Sequence, residues 1–410
     1  FGNYLAPYAE AYYGSGRDEK YRYGIGAQHF SALNGPVDQD FSASGRTAAF
    51  AHGRINGKGQ SLEGKLGYVR RNAHYYGYNT APNEADSIRQ VYNEATFHAL
   101  WDKQEVGRSP FSFSVGIDGS YFADNYEASE IEAGLSIKGD YELNRESAVT
   151  FELQPVLNLR YNAGDAIQNR SLGKATVAWV YQEDKIKATV GAKVAYNMDS
   201  TTSLSAFTVY PAVSVQYTAM PKKLYFKLYA QGDLQQNTLR KATRENPFLN
   251  TGTGLSHSHQ QLDAGLAIDF APSRNLGFSV DGGYELVENR MLMVNNPAAF
   301  SQFSLLYDEE LTGAVRVGGK VEVNAGRIKG TLGSTYKQYS MEEVGEAYHL
   351  PTLQSQVSIG YSHPEKLSVR LEGFQWSGIT ALDETGGDIT LDPIFDINLY
   401  GDYQLTDAIG

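Results

Sequence analysis

Two histidines, His257 and His259, stand two apart in the stretch GLSHSHQ, a spacing that on an extended segment puts both rings on one face, where they could share a metal ion. A protein metal site of the zinc type needs three or four ligands. No further histidine or carboxylate recurs at ligand spacing, so the pair reads as solvated loop histidines. Glycine pairs such as Gly57-Lys58-Gly59 lack the strand-to-helix setting that a phosphate cradle requires, and read as turn glycines. Serines, histidines and acids coexist without a nucleophile elbow, which leaves no triad to assign. The acid pairs Glu309-Glu310 and Glu342-Glu343 fall near strand starts or in loops, where a solvated face is expected. Tyr75-Tyr76-Gly77-Tyr78 could hold a sugar by stacking, but aromatic residues equally mark a membrane interface. The reading is a non-enzyme with no catalytic, cofactor-binding or metal residue and no cofactor.

The elements that carry these residues are far more legible. Glu130 to Tyr161 reads as two strands about a short polar turn. One parity holds Ile131, Ala133, Leu135, Ile137, Tyr141, Val149, Phe151, Leu153, Pro155, Leu157 and Leu159; the other holds Glu132, Ser136, Lys138, Asp140, Glu152, Gln154, Asn158 and Arg160. Strand side chains alternate faces, so one face must meet something apolar and the other water. Each arm runs about 12 residues, against about 5 or 6 for a globular strand and about 9–11 for a tilted strand crossing a bilayer. Placing the polar parity in lipid would cost roughly 2–4 kcal/mol for each Lys or Arg near the midplane, so the apolar parity is expected to face out.

The unit recurs along nearly the whole chain, giving about 19 strands. Tight turns such as Asn56-Gly57-Lys58-Gly59 and Asn324-Ala325-Gly326-Arg327 alternate with longer polar segments, among them 70 to 88, 235 to 258, 287 to 305, 340 to 350 and 375 to 392. Outer-membrane barrels alternate short periplasmic turns with longer extracellular loops. The first strand is therefore expected to run towards the periplasm. The segments 70 to 88, 235 to 258 and 375 to 392, with Tyr75, Tyr76, Tyr78, Phe248, His257 and Trp376, are expected to be extracellular and to meet a ligand or partner. Tyr121, Tyr141, Tyr161, Tyr181, Tyr196, Tyr217, Tyr284, Tyr336, Tyr361 and Tyr403 sit near strand ends on the apolar parity, as an interfacial girdle would.

Composition sets the outer bounds. The 410 residues show no linker or change of pattern, and 29 Tyr, 42 Gly and 18 Phe suit alternating strands with aromatic ends. No stretch approaches the roughly 18 apolar residues of a membrane helix. The mean hydropathy of -0.40 would also fit a soluble protein, but a barrel with a wet lumen hides its lipid band in alternate residues. A net charge of -12 argues against a nucleic-acid partner, and the absence of cysteine removes any disulfide or thiolate site.

The stretches FGNYLAPYAEAYYGSGRDEKYRYGIGAQHFSALNG, AHYYGYN and IRQVYNEA, with LDPIFDINLYGDYQLTDAIG near the end, together resemble the barrel portion of TonB-dependent receptors and receptor-like proteins of Bacteroidota outer membranes. The similarity runs over essentially the whole chain and mainly reports barrel architecture. It implies an all-β transmembrane antiparallel barrel of about 22 strands in full length. Residues 1–410 would form one barrel domain, with an amino-terminal strand and plug and the carboxy-terminal strands lying outside it. It further implies a location in the Gram-negative outer membrane, outer-membrane lipid as surroundings, and the TonB system as partner where a plug exists. The function implied is transport of a nutrient or other large ligand. The alternative is a non-transporting barrel subunit of a larger outer-membrane assembly or protein-insertion complex, with outer-membrane or surface lipoprotein partners.

Overall fold

The computed structural model describes residues 4–15, 18–35, 38–75, 84–103, 110–162, 167–199, 201–202, 204–296, 299, 301–363, 366–383 and 385–404. In chain order the strands are β1 Tyr8–Gly14, β2 Tyr21–Ala32, β3 Ser44–Gly57, β4 Gln60–His74, β5 Arg89–Lys103, β6 Phe111–Asp124, β7 Ser129–Glu142, β8 Ser147–Tyr161, the short β9 Gln168–Asn169, β10 Leu172–Gln182, β11 Ile186–Asn197, β12 Phe207–Met220 and β13 Leu224–Gln235. After the helix α1 Leu239–Glu245 follow β14 Ser258–Ser273, β15 Leu276–Asn295, β16 Phe303–Ala325, β17 Ile328–Ser340, β18 Leu353–His363, β19 Leu367–Ser377, β20 Ile379–Leu382, β21 Asp388–Leu391 and β22 Ile394–Tyr403.

Twenty of these strands form one antiparallel sheet in which neighbours in sequence are neighbours in space. Two exceptions interrupt that order. β10 pairs with β8, leaving the two-residue β9 beside the end of β8, and β22 pairs with β19, because β20 and β21 form a separate hairpin. Setting β9 aside leaves 19 long strands, the number the alternation implied. Among the described residues the one α-helix is α1, of seven residues. β1 and β22 are the two ends of the sheet, and no pairing joins them among the described residues.

The two parities separate as the polarity argument requires. Leu66, Val177, Leu228 and Leu332 stand outward and exposed, while Glu94, Glu130, Asn158 and Arg160 are buried on the other face. The girdle tyrosines Tyr121, Tyr141, Tyr196, Tyr217, Tyr284, Tyr336 and Tyr403 also take the outward parity. Inward charges meet across strands: Lys138 on β7 lies 2.8 Å from Glu152 on β8, directly opposite in register. Such an arrangement suits a sheet curled around water and not one packed on a dry core, so the polar face forms a lumen wall. Gly59 and Gly326 hold positive φ in two of the tight turns, a conformation that Lys58 and Ala325 beside them need not adopt. Neither glycine opens a helix.

Two of the segments expected to be loops are strand instead. β15 continues to Asn295 and β16 begins at Phe303, pairing as Met291↔Tyr307 and Met293↔Leu305 well past the expected strand ends. The extension is held by a small apolar cluster in which Leu292 and Val294 pack with Tyr348, Leu306, Leu350 and Leu382. Much of 375 to 392 is likewise ordered, as the end of β19 and the β20–β21 hairpin. Trp376 is consequently a strand residue on the inward parity, opposite Gln354, and not a loop residue.

Candidate functional site

The longest segment between strands, 236–257, does not project from the barrel but folds into it. Thr238 caps α1 by accepting a 3.1 Å hydrogen bond from the Lys241 amide, and the sequence LRKATRE that follows is rich in strong helix formers. Leu239 and Ala242, three apart, face the wall. Leu239 packs with Tyr92, Phe122 and Leu255 in a closed apolar cluster.

Beyond the helix, Arg71 of β4 donates to the Thr243 carbonyl at 3.0 Å, and Tyr92 of β5 donates to the Pro247 carbonyl at 2.9 Å. Glu94 of β5 receives Arg71 at 2.8 Å and also pairs with Arg244 of α1. From β13 to β5 the pairing path runs through β12, β11, β10, β8, β7 and β6, roughly 34 Å along the wall at the usual strand spacing. Nine residues, most of them helical at about 1.5 Å of rise each, span only part of that distance, so the segment cuts across the lumen as a chord.

Polar anchors fix the rest of the chord. Arg160 of β8 donates to the carbonyls of Thr251 and Thr253 at 2.9 and 2.6 Å, and Asp124 of β6 accepts from the Thr251 hydroxyl. Asn250 and Phe248 exchange backbone bonds with Phe303 at the start of β16. Glu132 of β7 takes Arg240 at 2.7 Å. The strongest anchor is Arg170, fully enclosed between β9 and β10. Its guanidinium reaches Asp199 at 3.1 Å and Glu130 at 3.8 Å, donates to the Asn237 carbonyl at 2.9 Å, and donates to His257 Nδ1 at 3.0 Å.

That geometry assigns the state of His257. Arginine can only donate, so Nδ1 must accept, while Nε2, 2.9 Å from the Arg170 carbonyl, must donate. Both ring nitrogens are occupied by protein, and the imidazole is neutral. Burial, with the Arg170 charge beside it, lowers its pKa to about 4 from an ordinary value of 6.5. A folded-state pKa below the unfolded one means that protonation favours release. The stabilisation is full above pH about 6.5 and is lost as pH falls from there through about 4, at most on the order of 3 kcal/mol. Loss of heat-resistant folded protein should steepen over this window in the native protein, and His257→Gln should flatten that part of the pH profile.

The structure separates the two histidines of the sequence pair. His259, at the start of β14, packs edge-on against Tyr210, with Nδ1 3.7 Å from Glu288. Among the described residues no three metal-ligating side chains converge. Glu342 and Glu343 are held through their backbone, because Asp308 accepts from the amides of Glu342, Glu343 and Val344, and Glu309 donates its amide to the Glu343 carboxylate at 3.3 Å. Tyr75 is buried beside Tyr126, ring centroids 6.1 Å apart, with its hydroxyl 3.5 Å from the Leu249 carbonyl of the chord. Tyr76 and Tyr78 lie outside the described residues. The expectation that 235 to 258 is an outward-reaching loop is overturned: Phe248 is half-buried and His257 fully so, since their partners lie on the lumen wall. A helix-start signal was present in Thr238 and its helix-forming followers; nothing in Arg170, Asp199 or Glu130 alone marked them as a latch.

The chord divides the space at this end of the barrel. On the long-loop side a cavity of about 330 Å3 lies between Tyr75, Tyr126, Asn162, Asn250, Thr251 and Gln302. On the opposite side a cavity of about 480 Å3 is lined by Lys65, His98, Asp118, Gln154, Lys174 and Lys241. Both are bordered by the chord itself, and the second mixes these charged and amide groups with Phe97, Leu135, Val156 and Leu172.

An antiparallel sheet with an aliphatic and aromatic exterior, a charged interior and a segment folded across it defines a transmembrane antiparallel β-barrel. The particular barrels it superposes on carry the same architecture. The FrpB iron transporter from Neisseria meningitidis matches with a TM-score of 0.74 at 7% identity, over 98% of this chain and 72% of that one. The ferric enterobactin receptor PfeA from Pseudomonas aeruginosa matches at 0.71 with 11% identity, over 98% and 71%. The siderophore receptor PirA from the same organism matches at 0.67 with 10% identity, over 98% and 70%. All three are named as receptors or transporters, not enzymes, and at these identities the likeness is one of fold. No protein-family profile and no curated protein sequence matches the chain.

Proposed function

We propose that this chain is the barrel of an outer-membrane uptake receptor and that the chord 236–257 is the barrier a ligand must pass after arriving at the long-loop side. The observation that carries the reading is a segment latched by buried charge across a wet lumen, with a cavity on each of its sides. A barrier that spans the lumen is useful where passage is selective. In this reading residues 1–410 are a single barrel domain in the Gram-negative outer membrane, the long loops are extracellular, and a preceding plug would couple the barrel to the TonB system. The ligands named for the structural neighbours make iron chelates the first candidates.

Replacing residues 238–255 by a short Gly-Ser linker should raise single-channel conductance in planar bilayers severalfold while leaving heat-modifiable folding intact. Unchanged conductance would remove the barrier role. Uptake of labelled ferric siderophores by cells carrying the native protein should stop when the proton gradient is collapsed, and uptake that never depends on that gradient would overturn the receptor reading.

A further inference from the structure

Three neighbouring strands break the outer alternation at one height. In register, Ser334 of β17 stands opposite Ser355 of β18, and Ser355 opposite Gln375 of β19, all on the outward parity. The row two residues nearer the long loops carries Tyr336 and Leu353, and the row two residues nearer the tight turns carries Leu332, Val357, Gly373 and Ile397. The polar row therefore lies at the long-loop edge of the apolar band, just inside the girdle tyrosine of β17.

The two serines close on each other. Ser334 donates to the Gln354 carbonyl at 3.4 Å, which leaves Ser355 to donate to Ser334, Oγ to Oγ 2.9 Å. Gln375 has no such neighbour: among the described residues no protein group bonds its side-chain amide. A carboxamide set against hydrocarbon is costly without a hydrogen bond, and on this face the partner has to come from outside the chain.

Gln375 stands at the long-loop end of a groove of about 170 Å3 in the outer wall, with Gly373 as its base and Leu332, Val357, Leu371, Phe395 and Ile397 as its sides. A methyl group at Gly373 would stand 3.2 Å from Val357 Cγ1 and 3.9 Å from Ile397 Cγ1, so it is the missing side chain that opens the space. Read from the membrane surface inward, the order is an amide and then an apolar trough. An acyl lipid has the same order, with its carbonyl linkage at the interface and its chain below. The volume suits one hydrocarbon segment, since an apolar cavity of about 150 Å3 takes a benzene ring. A protein helix, about 10–12 Å across, cannot enter it.

We propose that this groove binds one acyl chain of a lipid in the long-loop leaflet. The chain lies over Gly373, and the ester or amide carbonyl at its head accepts a hydrogen bond from the Gln375 side-chain amide. The inference requires only that the outward parity of β17, β18, β19 and β22 meet lipid, and so stands apart from the uptake reading.

Native mass spectrometry of the intact protein released from detergent micelles tests this with a matched pair of lipids. One is dipalmitoyl phosphatidylethanolamine; the other is its dihexadecyl ether, which has the same headgroup and chain length but no carbonyl. The native protein should retain a single ester lipid at concentrations roughly tenfold below those needed for the ether, the scale of one hydrogen bond. Gln375→Leu should erase that preference by bringing the ester down to the level of the ether. Gly373→Leu fills the groove and should weaken retention of both lipids roughly tenfold. Val190→Leu, on the outer face of β11, should change neither, and heat-modifiable mobility verifies folding of every variant. The proposal is overturned by equal retention of the two lipids on the native protein, by an ester preference that survives Gln375→Leu, or by retention that Gly373→Leu leaves as it was. A dimer that forms in place of the lipid adduct and is lost in Gly373→Leu would also overturn it, and would assign the face to a second copy of the chain.

Discussion

Arg170→Ala is expected to release the chord from the lumen wall while the strands stay paired. The guanidinium is wholly enclosed and serves four partners at once, the carboxylates of Asp199 and Glu130, the Asn237 carbonyl and His257 Nδ1. Truncation leaves two buried carboxylates without their cation. Removing one member of a buried ion pair costs about 3–5 kcal/mol, chiefly because the other charge stays buried and uncompensated. Local opening of a segment needs less than global unfolding, so this penalty falls on the chord before it falls on the sheet. Protease added to the folded protein should cut near α1 in the variant and not in the native chain, and single-channel conductance should rise. Arg170→Lys keeps a charge but cannot fork to Asp199 and His257 together, and should fall between the two. Native-like protease resistance in Arg170→Ala would show that the latch lies elsewhere.

The latch also marks where reading the sequence stops short. The period-2 alternation was strong enough to give the long strands and their facing, because every second residue must choose between lipid and water. An inward-folded segment has no such signature. Residues 236–257 carry the Asn, Gly, Thr and Pro of any loop, and only the Thr238 cap with LRKATRE hints at a helix. Arg170, Glu130 and Asp199 come from separate stretches that meet only once the sheet is curved. The extension of β15 and β16 was hidden for a different reason: it packs against Tyr348 and Leu350 of a neighbouring loop, so its outer alternation fails. One facing was hidden by a doublet. Tyr12 and Tyr13 are adjacent and identical, and only the register of Tyr12 with Gly26 and Tyr13 with Ile25 tells which ring faces the lumen.

Leu153→Arg should abolish membrane assembly, whereas its neighbour Gln154→Arg should be tolerated. Leu153 lies midway along β8, 43% exposed on the outward face, between Ile137 of β7 and Ala175 of β10. Gln154 points the other way, donates to Glu152 at 2.5 Å, stands opposite Lys174 and lines the cavity under the chord. Arginine on the lipid face near the midplane costs roughly 2–4 kcal/mol, while on the lumen face it enters water already shared with charged groups. The adjoining Pro155 sharpens the comparison. It cannot donate to a ladder, and the β7–β8 register is interrupted opposite it, from Gly134 to Ile137, so this part of the wall has few spare hydrogen bonds to offset the penalty. The yield of heat-modifiable folded protein in outer-membrane fractions should therefore collapse for Leu153→Arg and stay near native for Gln154→Arg. Equal yields would mean that the outer face of β8 does not meet lipid, and the facing of every strand registered to it would have to be reassigned.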